Sequence, residues 1–185
     1  MSRITTVNQT EATGKAKELL DAVQKKLGFA PNMMKTMAHS PAVLEAYLNF
    51  NGTLAHGKLN ASLREQIALV SAETNGCAYC ASAHSIIGKS AGLTDAEITA
   101  ARRGSSDDPK TDAALKFTRS VIVNHGSVSD EEVAAIKAVG YSEAEIAEII
   151  AHIALNTFTN YFNKIAKTEI DFPQVEFPLS RTANA

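Results

Sequence analysis

The chain has 185 residues, 45% of them hydrophobic and 21% charged, with a net charge of −2. That is enough chain for one domain with a sizeable core and an ordinary globular composition. A near-neutral chain without a local basic patch carries no nucleic-acid footprint, and apolar runs such as "EIIAHIAL" are far too short to span a bilayer.

The first segment, "MSRITTVNQTEATGKAKELL", has no apolar h-region, so a soluble cytoplasmic protein without membrane contact is expected. Gly28 follows a helix-forming run and suits a C-terminal stop. Pro31 and Pro41 fall between or at the start of segments, where proline is tolerated. "VLEAYLNFNGTLAHG" reads as an amphipathic helix. Before "LREQIALVSAETN", Ser62 and Glu65 fit a capping box, which would make Glu65 a structural residue at the third helical position. Thr94 with Glu97, Ser129 with Glu132 and Ser142 with Glu145 repeat that pattern, and Gly92 and Gly140 mark further stops. "RRGSSDDPKTD" is the most polar turn but too short for a linker, and "LKFTRSVIVNHG" is amphipathic.

The last long segment, roughly Glu143 to Lys167, is the clearest helix. Ile146, Ile149, Ile150, Ile153, Phe158, Phe162 and Ile165 fall close to a helical repeat. His152, Asn156 and Asn163 share a second stripe on it. That stripe is either a solvated or helix-pairing face, or the wall of a substrate pocket or subunit contact. "DFPQVEFPLSRTANA" then reads as an extended or packed tail. Strand alternation is absent throughout. The expected fold is all-α, one domain, with about seven or eight helices.

Chemistry concentrates in "NGCAYCASAH", which holds both cysteines, Cys77 and Cys80, and His84. A helix starting near Gly76 places Cys77, Cys80 and His84 on one face at i, i+3 and i+4 spacings. A CxxC pair at a helix start has Cα atoms within the ~4.4–6.8 Å reach of a disulfide. The helix N-terminus lowers a cysteine pKa from its ordinary ~8.5. Glu65 lies twelve residues before Cys77, and an antiparallel helix pair would bring its carboxylate back toward the cysteines. Three readings compete: a dithiol redox centre, part of a zinc site, or two buried structural cysteines. Zinc would need a distant fourth ligand, since no second CxxC or histidine pair is present. Haem attachment needs a histidine directly after the second cysteine, where Ala81 stands. A thioredoxin-like reading needs flanking strands. His39, His56 and His125 sit near predicted helix ends, and Met33, Met34 and Met37 read as flexible core or lid packing.

The combined pattern E-(x)11-C-x-Y-C-x-x-x-H, spelled "EQIALVSAETNGCAYCASAH", resembles the alkylhydroperoxidase AhpD-like core of the carboxymuconolactone decarboxylase superfamily. The likeness is closest over about residues 44–122. The flank "LNTFTNYFNKIAKTEIDFP" looks like the peroxidase-related branch. The resemblance implies a single AhpD-like domain over residues 1–185, all-helical, assembling as homotrimers or homohexamers, and a thiol peroxidase acting on organic hydroperoxides or hydrogen peroxide. It makes Cys80 the peroxidatic cysteine, Cys77 the resolving cysteine, and Glu65 with His84 the proton relay. No bound cofactor or metal is implied, only an external dithiol reductant such as a lipoyl group. One departure is Tyr79, where well-known members carry a histidine. A phenol titrating near ~10 is no neutral-pH base, but it is a hydrogen-bond donor to a peroxide oxygen. Tyr79, His152 and Asn156 are the candidate substrate contacts. The alternatives are a lactone decarboxylase, which needs no cysteine pair, and a redox-sensing CxxC protein without efficient turnover.

Overall fold

A computed structural model describes residues 1–179. Among them the chain forms nine α-helices and no strand: α1 Gly14–Leu27, α2 Asn32–Met37, α3 Pro41–Leu54, α4 Ala61–Thr74, α5 Ala78–Ser90, α6 Asp95–Arg102, α7 Pro109–Val123, α8 Asp130–Ala138 and α9 Glu143–Ala166. The all-α class holds, with more helices than expected. α2 has six residues, less than two turns, so "NMMKTM" shows no readable period.

Helix α4 is the axis of the molecule. It packs against α5, α6, α7 and α9, and these contacts bury Leu63 and every residue from Gln66 to Ala72. A helix apolar on nearly all sides belongs at the centre of a bundle. On one side of it Leu63, Ile67, Leu69 and Val70 meet Leu115, Ile136, Ile149 and Ile153 in the larger core. On the other, Ala72 joins Leu20, Met33, Met34, Met37 and Leu44 from α1–α3 in a second core, and this one contains Cys77, Tyr79 and Cys80.

The boxes at Thr94, Ser129 and Ser142 form as expected. The one at Ser62 does not. Helix α4 begins two residues earlier, and Asn60 is its N-cap, accepting from the Leu63 amide at 2.8 Å. Ser62 Oγ instead donates to the Ala91 carbonyl at 2.9 Å. Asparagine caps at least as well as serine, and the shift removes Glu65 from the cap altogether.

Helix α9 also departs from its expected polarity. Ile146, Ile149 and Ile153 are buried, but Ile150, Phe158 and Ile165 are exposed. His152, Asn156, Asn160 and Asn163 face inward instead. The polar stripe is therefore not solvated: His152, Asn156 and Asn163 line one wall of a cavity. The described part of the tail packs down rather than extending away. Arg102, buried and paired to Glu73 at 2.9 Å, donates to the Glu176 carbonyl, and the Leu179 amide donates to Glu73 Oε1 at 2.6 Å. The rest of the tail, 180–185, lies outside the described residues. Among the described residues no helix is long and apolar enough to cross a membrane.

Candidate active site

The turn from α4 to α5 sets the cysteines. Gly76 has φ 71°, the left-handed conformation that closes a helix at little cost only in glycine. The Cys77 amide then donates back to the Ala72 carbonyl at 2.8 Å. Helix α9 clamps this turn from outside: Lys164 Nζ donates to the Asn75 carbonyl at 2.6 Å, and Asn75 Nδ2 donates to Asn160 Oδ1 at 2.9 Å. Cys77 is the N-cap of α5, its sulfur accepting from the Cys80 amide at 3.2 Å.

Cys77 and Cys80 are disulfide-bonded, with Cα atoms 5.3 Å apart, and both are almost wholly buried. Each sulfur stands where a thiol or thiolate would stand after reduction. One turn further on, His84 Nδ1 lies 2.7 Å from Glu65 Oε2, bridging α5 and α4. The hairpin thus brings the carboxylate back to the imidazole, as the motif spacing suggests. Both side chains are about one-fifth exposed.

These groups share a cavity of about 430 Å³. Cys80, His84, Glu65 and Tyr79 line it, as do His152, Asn156 and Asn163 of α9, whereas Cys77 does not. Its remaining wall is largely apolar, with Phe29, Met33, Met34, Tyr47, Leu155 and Phe172 among the contributors. A pocket of this size and lining suits a small organic molecule. Among the described residues no three His, Cys, Asp or Glu side chains converge as a metal site.

The candidate substrate contacts sort themselves by partner. The Tyr79 oxygen accepts from the Met33 amide at 3.2 Å, its ring meets Phe172 edge-on at 5.7 Å, and burial pushes its phenol well above the ordinary value. The Asp171 carboxylate, which accepts from the Asn32 amide at 2.7 Å, reinforces that rise. Tyr79 is therefore a neutral strut between the cysteine helix and α2. Tyr79→Phe is expected to leave the Met33 amide unpaired, costing about 1–3 kcal/mol. Thermal melting should fall by several degrees, about 2–4 °C per kcal/mol at this size, while cysteine chemistry persists.

Asn156 Nδ2 is occupied by the His152 carbonyl at 2.8 Å. His152 is buried, and its Nε2 has no hydrogen-bond partner among the described residues. Burial lowers its pKa, Arg64 nearby adds to the drop, and Glu148 and Glu65 oppose it. The unfolded chain protonates His152 first, near the ordinary value of 6.5. Stability is therefore full above that pH and is lost as pH falls toward the depressed folded value. Chemical denaturation from pH 7.5 to 5 should show this decline, and His152→Gln should flatten it.

Asn163 is the residue that the motif pattern does not mark as part of the site. Its Nδ2 donates to Cys80 Sγ at 3.4 Å and to Met33 Sδ at 3.2 Å. Its only sequence signal is the seven-residue step from Asn156 along α9, two helical turns on one face.

Residues 41–121 match the carboxymuconolactone decarboxylase family. No curated protein matches the chain in sequence. Among solved structures, a variant of the debrominase Bmp8 in complex with 2,3,4-tribromopyrrole is similar at 24% identity and a TM-score of 0.79, covering 92% of both chains. An alkylhydroperoxidase AhpD core, an uncharacterized peroxidase-related protein from Ralstonia eutropha JMP134, is similar at 23% identity and a TM-score of 0.83, again over 92% of each chain. A peroxidase-related protein from Silicibacter sp. TM1040 is similar at 19% identity and a TM-score of 0.77, over 90% of this chain and 92% of that one.

Proposed function

We propose that this chain, which matches the carboxymuconolactone decarboxylase family over residues 41–121 and shares the fold of an AhpD core, is a thiol peroxidase reducing organic hydroperoxides through Cys80 and Cys77. One observation carries the reading. Cys80 lines the cavity beside the Glu65–His84 pair, and Cys77 is bonded to it from behind, out of the cavity. This arrangement supports Cys80 as the cysteine that meets a small molecule first and Cys77 as the one that resolves what forms on it.

With Glu65 accepting from Nδ1–H, a neutral His84 keeps its Nε2 lone pair as the base that deprotonates Cys80. The thiolate attacks the terminal peroxide oxygen. An S–O bond forms, the O–O bond breaks, and the departing alkoxide takes the proton back from His84. Cys77 then displaces water from the Cys80 sulfenic acid, giving the disulfide. Hydrogen peroxide would fill little of the 430 Å³ and touch none of its apolar wall, so organic hydroperoxides fit better.

Turnover needs an external dithiol, since the chain has no third cysteine. With both sulfurs buried, a slim extended dithiol such as a lipoyl arm suits the approach better than a folded redox protein. Such dithiol chemistry belongs to the reducing cytoplasm. Self-association, as the homotrimer or homohexamer that the resemblance implies, is supported by Ile150, Phe158, Tyr161 and Ile165, which follow one another along the outer face of α9 at eight-, three- and four-residue steps and are 41–63% exposed. Exposed large apolar side chains gathered on one helix face are a mark of protein interfaces.

The deciding experiment is intact-mass analysis of the reduced protein after one equivalent of cumene hydroperoxide. Loss of two hydrogens, with both thiols closed to alkylation, is the expected result. Unchanged mass with two free thiols would overturn the peroxidase reading. Reductive debromination is the second reading, favoured by the likeness to Bmp8; it would yield the same disulfide from a halogenated heteroaromatic while hydroperoxide left the thiols free. A lactone decarboxylase would instead keep its activity after alkylation of both cysteines.

A further inference from the structure

Asn163 touches the reacting sulfur and leaves one atom unused. The side chain is 3% exposed, its Nδ2 faces two sulfurs, and its Oδ1 has no partner among the described residues although the residue lines the cavity. The amide orientation follows from chemistry. The thioether of Met33 and the sulfur of Cys80 both accept, so the NH2 group must face them and the carbonyl must face away. A buried acceptor without a donor beside a reactive sulfur awaits a donor from something that enters.

We propose that Asn163 is a catalytic residue that holds both reacting partners: its Nδ2–H stabilises Cys80 as the thiolate, and its Oδ1 receives the terminal O–H of the hydroperoxide. This rests on the thiol peroxidase reading. The two N–H groups of Nδ2 divide between Met33 Sδ and Cys80 Sγ, and a hydrogen bond to the charged form favours that form. The O–H accepted by Oδ1 belongs to the oxygen that Cys80 attacks. As the S–O bond forms and the O–O bond breaks, sulfur loses two electrons and the leaving alkoxide takes a proton from His84. The O–H proton stays on the transferred oxygen, now part of Cys80–S–OH. Oδ1 keeps hold of that hydroxyl, leaving the sulfur open to Cys77, whose thiol forms the S–S bond as its S–H and the S–O bond break and its proton leaves with the hydroxyl as water.

The test uses Asn163→Asp and Asn163→Leu in the Cys77→Ser background, where Cys80 is the one remaining thiol. Iodoacetamide alkylation across pH 5 to 10 reads the thiolate and needs no peroxide. Both variants are expected to titrate at higher pH, with alkylation at neutral pH about tenfold slower. The rate of sulfenic acid formation with cumene hydroperoxide is then compared above both thiol pKa values, where alkylation rates converge. There Asn163→Leu should remain about tenfold slow, whereas Asn163→Asp, which keeps an acceptor oxygen, should recover most of the rate. Asp matches Asn in size, so the thiolate half stays testable if the Leu variant fails to fold.

Unchanged alkylation profiles in correctly folded variants would overturn the thiolate half and leave Asn163 a packing residue for Met33. Equal high-pH peroxide rates in the parent and Asn163→Leu would overturn the Oδ1 half. A parent protein that forms no sulfenic acid at all would sink the peroxidase reading and the Oδ1 half together, while a shifted alkylation profile would still uphold the thiolate half.

Discussion

Cys80→Ser is expected to reduce hydroperoxide consumption to the uncatalysed background, whereas Cys77→Ser should retain the first chemical step and lose turnover. The asymmetry follows from placement. Only Cys80 lines the cavity, and a serine oxygen there is neither ionised near neutrality nor able to take up oxygen as a sulfenic acid. In Cys77→Ser the attack still proceeds, but no thiol stands behind Cys80 to displace water. The sulfenic acid should accumulate to one equivalent, trapped by dimedone and read by mass. Consumption assayed with a dithiol donor should then stall after one turnover per chain. Full steady-state activity in Cys80→Ser would show that the cavity works without its sulfur. One equivalent of sulfenic acid in Cys80→Ser and none in Cys77→Ser would reverse the assignment.

Glu65→Gln should lower kcat/KM for hydroperoxide by about 10²–10³-fold, in the range that general acid–base groups contribute, with little change in melting temperature. The glutamine oxygen can still accept from His84 Nδ1–H, but it lacks the charge that supports an imidazolium once the Cys80 proton has moved. The stability side of this prediction depends on the cap. Glu65 takes no part in capping α4, because Asn60 does so. Asn60→Ala should therefore show the opposite pattern, losing about 1 kcal/mol of stability with kcat/KM within a few-fold of the parent. Paired stopped-flow and thermal-melt measurements on the two variants separate the roles. Large stability loss in Glu65→Gln, with activity retained, would return Glu65 to a structural part.

Several levels of the molecule are legible in the chain alone because they depend on neighbours within one or two turns. The capping boxes at Thr94, Ser129 and Ser142 form as spaced, and Gly28, Gly92 and Gly140 take positive φ at helix ends. The i, i+4 spacing of Cys80 and His84 puts them on one face of α5, while Cys77 stands just ahead of the helix as its N-cap and off the cavity. Even Glu65 is reachable, since a short turn between two helices forces them antiparallel and the register does the rest. The error at Ser62 is also local: Asn60 and Ser62 are both good caps two residues apart, and the choice between them turned on Ser62 finding the Ala91 carbonyl across the α5–α6 connection.

What the tertiary structure decided is the meaning of α9. Periodicity identifies its stripes but not which one faces inward, because hydrophobic burial fixes that only when the interior is apolar. Here the interior is a cavity that needs polar atoms at its wall, so His152, Asn156 and Asn163 turn in while Ile150, Phe158 and Ile165 remain outside. The contact of Asn163 with Cys80 spans 83 positions, a separation over which no spacing rule operates. Helix type, caps and the cysteine–histidine face are short-range properties of this chain. The cavity, its polar wall and the partner of the reactive sulfur arise from the packing of α9 across α4 and α5, which only the folded molecule sets.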